Sequence, residues 1–262
     1  MSELLFDVSE RIATITLNSP EKLNAFTTDM LLAWGDALLE AQRRDDVRVI
    51  VLTGAGRAFC SGGDVGSIGE RREAENAYMR KVSLSERVHR IPLIMETLDK
   101  PVIVAVNGVA TGAGMDMALM GDIRIASSTA RFAETYIRIG IMAGDGGAWY
   151  LPRLVGMPRA LELLWTGRFV EAEEAERIGL VNHVVPEAEL MPRTMEMAGK
   201  IANGPPLAIR MMKRAAYQGV DLSLRAHLDQ VSSHMGAIFS TEDHKEALAA
   251  FREKRAPVFV GR

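Results

Sequence analysis

The sequence lacks the features that mark several classes of protein. Its 262 residues include a single cysteine, Cys60, so no disulfide can form within the chain, and nothing points to an oxidising compartment. No apolar run is long enough to span a bilayer, and the N-terminus carries acidic residues where a signal peptide would be basic. These absences favour a cytoplasmic protein with no membrane partner, with the matrix of an organelle as the alternative location.

Strong charge of either sign is also missing. The formal net charge is −3, which gives no electrostatic reason to expect binding to nucleic acid. The glycines form neither a G-x-x-x-x-G-K-[ST] phosphate loop nor a G-x-G-x-x-G dinucleotide motif. The five histidines have no ligand spacing, so the sequence predicts no metal site.

What the chain does contain is an alternation of apolar strands and amphipathic helices. The segments VRVIVLTG, PVIVAVNG and DIRIAS are short, apolar and β-branched, as in strands buried on both faces. Helical patterns cover about 27–44, with Thr27 or Thr28 as the cap, and about 74–98, with a break near Pro92. This order predicts an α/β fold with a parallel sheet.

Helical patterns fill the C-terminal part of the chain. From about residue 160 they follow one another up to Lys254. We therefore expect an α/β core over 1–200 and a helical region over 201–262. Apolar stripes on terminal helices need a partner surface, which is either the chain's own core or another subunit.

Two glycine-rich segments each follow a buried strand, AFCSGGD at 58–64 and GVATGAGMD at 108–116. Ligands bind at the carboxyl ends of parallel strands. If Gly112-Ala113-Gly114 begins a helix, its free N–H groups point into that cleft. Donors converging from the two loops would form an oxyanion hole for a polarised carbonyl. The simpler alternative is that both segments are only turns.

Six motifs, in this order along the chain, resemble the crotonase (enoyl-CoA hydratase/isomerase) superfamily: PEKLNAF, GAGRAFCSGGDV, KPVIVAVNGVATGAGMDMALMGDIRIAS, RFAETYIRIGI, GDGGAWYLPRLVG and AFREKRAPVF. The resemblance runs from about residue 3 to 260. It implies a spiral of ββα units with a C-terminal helical trimerisation region, and an assembly that is a trimer or a dimer of trimers. It also implies an acyl-CoA thioester substrate, with coenzyme A entering as part of the substrate and not as a separate cofactor.

The resemblance also implies positions for the substrate. The oxyanion hole would use the N–H groups of Ser61 and Ala113. Lys22 and Leu23 match a loop that lies along coenzyme A, while Phe251 and Lys254 match C-terminal positions that contact coenzyme A bound to a neighbouring subunit. The remaining implied contacts surround the hole: Ser61, Gly62, Gly63, Asp64, Val65 and Gly112.

Hydratases of this family use two glutamates, and this chain departs from both. Asp116 stands at the first position, one methylene shorter, and Tyr136 stands at the second. Glu134 lies two residues before Tyr136, on the same face if that segment is extended. Asp145 falls in a loop where some family members carry an extra acid.

Each acid has a simpler alternative role. Asp116 is also consistent with a buried carboxylate bonded to backbone, and Asp145 with a turn residue. Glu134 is also consistent with a surface charge paired with Arg138. No histidine is evident near Cys60, so the sequence does not predict a Cys–His nucleophile.

Taken together, the residues and the resemblance predict an enzyme that stabilises a thioester enolate and hydrates a 2-enoyl-CoA. Asp116 would move protons with help from Asp145 or Glu134, while Tyr136 would orient water. Because Tyr136 replaces the second glutamate, isomerisation, thioester hydrolysis and decarboxylation stay open as alternatives. A non-catalytic protein that binds coenzyme A is a further alternative.

Overall fold

The computed structural model describes residues 2–63 and 76–262. Its helices, in chain order, are α1 (Thr28–Arg43), α2 (Ala77–Ser83), α3 (Arg90–Thr97), α4 (Ala113–Leu119), α5 (Gly147–Val155), α6 (Met157–Thr166), α7 (Ala172–Arg177), α8 (Leu190–Ala202), α9 (Pro206–Gln218), α10 (Leu224–Phe239) and α11 (Glu242–Glu253). A π-helical turn covers Leu84–Val88, and 3-10 turns cover Pro20–Lys22, Thr135–Ile139 and Glu187–Glu189.

The strands form two mixed sheets. In chain order they are β1 (Leu4–Ser9), β2 (Ile12–Leu17), β3 (Val49–Gly54), β4 (Ala58–Cys60), β5 (Val102–Val106), β6 (Val109–Thr111), β7 (Ile123–Ser127), β8 (Arg131–Ala133), β9 (Val170–Glu171) and β10 (His183–Val185). The larger sheet has the order β1-β2-β3-β5-β7-β10 and the smaller one β4-β6-β8-β9. All neighbours pair in parallel except β1 with β2 and β8 with β9.

The larger sheet is covered by helices on both faces. Every residue of β3 and β5 is buried. Ile50 belongs to an apolar cluster that includes Trp34 of α1, whereas its neighbour Val51 belongs to a second cluster that includes Ala198 of α8. Since successive strand residues point to opposite faces, the prediction of strands buried on both faces is confirmed.

The predicted helices also form, with one difference in position. Thr27 caps α1, because its side chain accepts a hydrogen bond from the N–H of Met30 at 3.1 Å. The prediction of a break near Pro92 is wrong: the π-helical turn over Leu84–Val88 separates α2 from α3. Pro92 lies in the first turn of α3, where a missing N–H costs no helical hydrogen bond.

The C-terminal helices are joined to the core by polar contacts of α9. The ammonium group of Lys213 donates to Asp122 Oδ2 at 2.8 Å and to the Lys100 carbonyl at 2.9 Å, and the Tyr217 hydroxyl donates to Asp122 Oδ1 at 2.8 Å. Arg210 also pairs with Asp99. The Asp122 carboxylate in turn accepts the N–H of Val102 at the start of β5.

No helix within residues 2–63 and 76–262 combines the length and the apolar character needed to cross a membrane.

Candidate active site

The short helix α4 carries Asp116 into the interior. Gly112 caps the helix, and all seven residues of α4 are buried, including Asp116. Its backbone is held in place because the N–H of Gly112 donates to the Ala133 carbonyl at 2.8 Å, and the N–H of Asp116 donates to the Gly112 carbonyl at 3.0 Å. The prediction that a helix begins at the second glycine segment is confirmed.

The two glycine-rich loops lie against each other. They follow β4 and β6, which pair in parallel in the smaller sheet. A Cβ on Gly114 would collide with the Cys60 carbonyl, and a Cβ on Gly62 would lie 3.4 Å from the Ala113 nitrogen. Glycine is therefore needed for the close approach of these backbones, which brings the start of α4 beside the first loop.

The amide of Ser61 is not available as an oxyanion donor. Its N–H donates to the Leu23 carbonyl at 3.0 Å, so the structure disagrees with the donor role predicted for Ser61. Two residues on, Gly63 forms a bridge with Phe26, and no hydrogen bond among the described residues engages the Gly63 N–H. The Ala113 N–H, at the first position of α4, is likewise without a helical partner.

The loop with Lys22 and Leu23 is fixed by a buried side chain. Leu23 adopts a left-handed backbone conformation, and the following Asn24 is fully buried. The Asn24 side chain accepts the N–H of Ser19 and donates to the carbonyls of Ala55 and Ala58. The loop is therefore tied to the strand that leads into the first glycine segment, while Lys22 itself stays exposed.

Tyr136 joins two carboxyl groups. It lies in the 3-10 turn after β8, and its hydroxyl contacts Asp116 Oδ2 at 2.8 Å and Asp145 Oδ2 at 2.7 Å. One hydroxyl proton serves one acceptor fully, so both contacts are satisfied when one carboxyl carries a proton and donates to the phenol oxygen. Burial, together with both aspartates, raises the pKa of Tyr136 far above its ordinary value, which makes it a neutral donor and not a base.

Asp116 is the carboxyl group of this site that accepts hydrogen bonds from its neighbours. Burial and, next, the charge of Asp145 raise its pKa to about 6, while Tyr136 and Glu134 oppose that rise. The N–H of Asp145 also donates to Asp116 Oδ2 at 3.2 Å. Asp116 is therefore ionised at neutral pH yet remains basic enough to accept a proton.

Glu134 is buried beside Asp116, with 1% of its surface exposed. The alternative of a surface charge paired with Arg138 is therefore wrong. Burial and, next, the charge of Asp116 raise the pKa of Glu134 to about 10, and its carboxyl hydrogen-bonds to Asp116. If Glu134 were ionised, neither of its carboxylate oxygens would accept a hydrogen bond. The neutral acid is therefore the form that this site accommodates.

Asp145 lies in the loop between the 3-10 turn and α5. Burial raises its pKa, whereas the Tyr136 hydroxyl and, more weakly, His89 lower it. His89 Nε2 lies 2.8 Å from the Gly144 carbonyl, so a residue near the start of α3 holds the loop that carries Asp145. No local pattern in the sequence relates His89 to residue 144, so the sequence does not predict this contact.

Gly147, at the start of α5, is a second residue of the site that the sequence does not predict. A Cβ at this position would collide with Asp116 Oδ1 and lie 2.9 Å from Glu134 Oε1. The absence of a side chain therefore lets two carboxyl groups rest against the first turn of α5, whose N-terminal end favours negative charge. The paired glycines after Asp145 were the available signal.

An apolar cavity adjoins this cluster. Its volume is about 430 Å³, and Glu134 and Tyr136 form the polar part of its wall. The apolar part comes from residues of the 3-10 turn, the following loop and helices α5 and α6: Ile137, Ile141, Met142, Ala143, Ala148, Leu164 and Trp165. The cavity has the composition of a site for an apolar group with a few polar atoms at one end.

The predicted positions at the C-terminus are not among the described residues that surround the cavity. Phe251 is 83% exposed, and Lys254 ends α11 in a left-handed conformation; both stay predictions. Asp64 and Val65 lie outside the described residues. Within those residues, no group of three or more histidine, cysteine, aspartate or glutamate side chains is arranged to hold a metal ion.

Comparison with known proteins agrees with this geometry. The family model for enoyl-CoA hydratase/isomerase matches residues 7–262. The chain is 40% identical over 257 residues to the short-chain-enoyl-CoA hydratase of Clostridium acetobutylicum, covering 97% of this chain and 96% of that protein. It is 34% identical over 264 residues to the 1,2-epoxyphenylacetyl-CoA isomerase of Escherichia coli, covering all of both.

Solved structures are similar over the same length. The enoyl-CoA hydratase of Bacillus anthracis superposes with a TM-score of 0.91 and 34% identity, covering 100% of each chain. The match includes both mixed sheets and the C-terminal helices, so the predicted crotonase fold is confirmed. The chain belongs to the enoyl-CoA hydratase/isomerase family of enzymes.

Proposed function

We propose that this enzyme hydrates a 2-enoyl-CoA thioester, with Asp116 and Asp145 as its proton-transferring pair. The observation that carries the proposal is the contact of both carboxyls with one phenol oxygen, at 2.8 and 2.7 Å. Hydration needs one group that accepts a proton from water and one that supplies a proton to Cα. Because the phenol donates its proton to only one of them, the pair accommodates one ionised and one protonated carboxyl, which are the two forms that hydration needs.

The thioester carbonyl would be polarised by the N–H groups of Ala113 and Gly63. We place Gly63 in the role predicted for Ser61, because the Ser61 amide already donates to Leu23. Charge that develops on the thioester oxygen during enolate formation is stabilised by such donors, and each contributes about 3 kcal/mol of transition-state stabilisation.

The proton balance of hydration follows from the two carboxyl states. The ionised carboxyl accepts a proton from water as the water oxygen bonds to Cβ. The electron pair of the double bond moves to Cα and the thioester oxygen as an enolate, and the protonated carboxyl returns a proton to Cα. Tyr136, as a neutral donor, keeps the two carboxyls in complementary states.

Isomerisation of the double bond is the second candidate. It is favoured by the position of the Tyr136 hydroxyl, which lies between the carboxyls where an attacking water would need to be held. A single base, Asp116, would then move a proton from one carbon of the acyl chain to another. The Escherichia coli relative is named as an isomerase, whereas the Clostridium acetobutylicum relative is named as a hydratase.

We also propose that the substrate site is completed by assembly into a homotrimer or a dimer of trimers. Apolar side chains stay exposed on the C-terminal helices of the single chain, and Phe251 and Lys254 would contact coenzyme A held by a neighbouring copy. The apolar cavity beside Glu134 would receive the acyl group.

The test is turnover of crotonyl-CoA by the purified enzyme and by Asp116→Asn. We expect a product heavier by one water, and a loss in kcat on the order of 10²–10⁴-fold in the variant. A β,γ-unsaturated thioester of unchanged mass would favour isomerisation, and free coenzyme A would favour hydrolysis. Equal rates for both proteins would contradict the role of Asp116.

A further inference from the structure

Buried carboxyl oxygens without donors are concentrated at one point of the molecule. Asp116 Oδ1 and both oxygens of Glu134 have no donor when the two groups are ionised. All three belong to side chains at most 1% exposed. Glu134 Oε1 lies 2.9 Å from the position that a Cβ on Gly147 would occupy, and Asp116 Oδ1 lies still closer to it. Glu134 is not at either acid position that the family resemblance implies.

The groups around Glu134 determine which carboxyl holds a proton. Those that act on Glu134 electrostatically are the carboxyls of Asp116 and Asp145, and His89 acts only on the latter. No salt bridge among the described residues involves Glu134. Asp116, in contrast, accepts the Tyr136 hydroxyl and the N–H group of Asp145, both on Oδ2. The negative charge therefore belongs on Asp116 and the proton on Glu134.

We propose that Glu134 is a positioning residue: a permanently neutral carboxylic acid that donates its proton to Asp116 Oδ1 and holds that carboxylate ionised in one orientation. Glu134 exchanges no proton with substrate or water. The proposal rests on the proposed function of Asp116 as the base. It differs from the predicted role of Glu134 as a partial replacement for the second glutamate.

Two substitutions of Glu134 distinguish a residue that only donates a hydrogen bond from one that transfers protons as an acid or base. Glu134→Gln keeps an N–H donor, so we expect kcat/KM within about threefold of the native enzyme and an unchanged pH profile. Glu134→Met has a similar size and no donor. Because donors to a carboxylate lower its pKa, we expect the acid limb of kcat/KM to move up by about one to two pH units, with unchanged KM at high pH.

A second measurement does not depend on turnover. The folded protein keeps a proton on Glu134, whereas the unfolded chain releases it above about pH 4.3. The pKa of Glu134 is raised by folding, so the stability linked to this proton is present below that pH and is lost as pH rises toward about 10. We therefore expect Tm to fall more steeply in the native enzyme than in Glu134→Gln between about pH 6 and pH 9.

The outcomes are distinct. Equal loss of kcat in Glu134→Gln and Glu134→Met, without a shift of the acid limb, would show that Glu134 transfers protons itself and would overturn the proposal. Parallel Tm curves for native enzyme and Glu134→Gln would overturn it as well. If the native enzyme turns over no enoyl-CoA, the proposed function fails, and the Tm comparison still decides whether Glu134 is neutral.

Discussion

Asp116 owes its properties to donors from two other segments of the chain. The Tyr136 hydroxyl comes from a 3-10 turn and the Asp145 N–H from a loop. The start of α5 also lies against the carboxyl at Gly147. The acids themselves could be found in the sequence, because they fall in or near motifs. The contacts between these acids could not be predicted from the sequence, because they depend on the pairing of β6 with β8 and on the path of the 140–146 loop.

The pH profile of the enzyme follows from Asp116. A base must be ionised to accept a proton, and burial raises the pKa of Asp116 to about 6. We expect kcat/KM for a 2-enoyl-CoA to fall below about pH 6, by roughly tenfold per pH unit. Tyr136→Phe removes a donor to the carboxylate, so the acid limb should move to higher pH. If the acid limb of kcat/KM lies at the same pH in the native enzyme and in Tyr136→Phe, the role of Tyr136 as a donor to Asp116 is contradicted.

Gly147 offers a matched pair of glycine substitutions. In Gly147→Ala the new methyl group would collide with Asp116 Oδ1, so we expect loss of activity and destabilisation by about 1–3 kcal/mol. Gly199→Ala, in α8, meets nothing within 4 Å and should be neutral or stabilising by about 0.5–1 kcal/mol. Denaturant unfolding measures the free energy of unfolding of both variants. Equal losses in the two would contradict the close contact of Gly147 with the Asp116 carboxyl.

At the scale of elements, local signals predicted helices better than loops. Helix α9 begins at Pro206 and ends before Gly219, two residues that mark helix ends in a sequence. The Ser61 donor was assigned wrongly, since the partner of its N–H is the carbonyl of Leu23, 38 residues earlier, and no local pattern records that contact. Likewise, the smaller sheet was not predicted, because its strands are only two or three residues long.

The attachment of α9 to the core is testable by stability. Lys213 and Asp122 are only 11% and 17% exposed, so we expect Lys213→Met to lower the free energy of unfolding by about 1.5–3 kcal/mol, because it leaves a carboxylate without its charged donor. The control is Lys200→Met, whose pair with Glu196 is 71% and 47% exposed; this should cost less than about 0.5 kcal/mol. Similar losses in urea unfolding would contradict a special role for α9.

At the scale of the whole molecule, the exposed apolar side chains of the C-terminal region need a cover. They cluster on α9, α10 and the segment between them: Met212, Tyr217, Val220, Leu222, Leu224, Leu228, Met235 and Phe239. A core made of the chain alone leaves this region exposed to water, which agrees with the proposed oligomer.

Light scattering with size-exclusion chromatography tests the assembly. We expect a mass three or six times the 28.7 kDa of the chain. Leu228→Glu, at a position 53% exposed in the single chain, should lower the mass because it would bury a charge in the interface. Lys200→Glu on α8 should leave the mass unchanged. A monomeric native protein would contradict the proposed assembly.

The contact between α9 and Asp122 also bears on synthesis by the ribosome. Asp122 lies between α4 and β7, yet its partners Lys213 and Tyr217 follow it by 91 and 95 residues. While the chain is growing, the Asp122 carboxylate therefore lacks these two donors until α9 has been synthesised. A nascent chain that ends before α9 therefore leaves the Asp122 carboxylate, at the start of β5, without these donors. We expect chaperones to bind such chains and to release them once α9 has emerged from the ribosome.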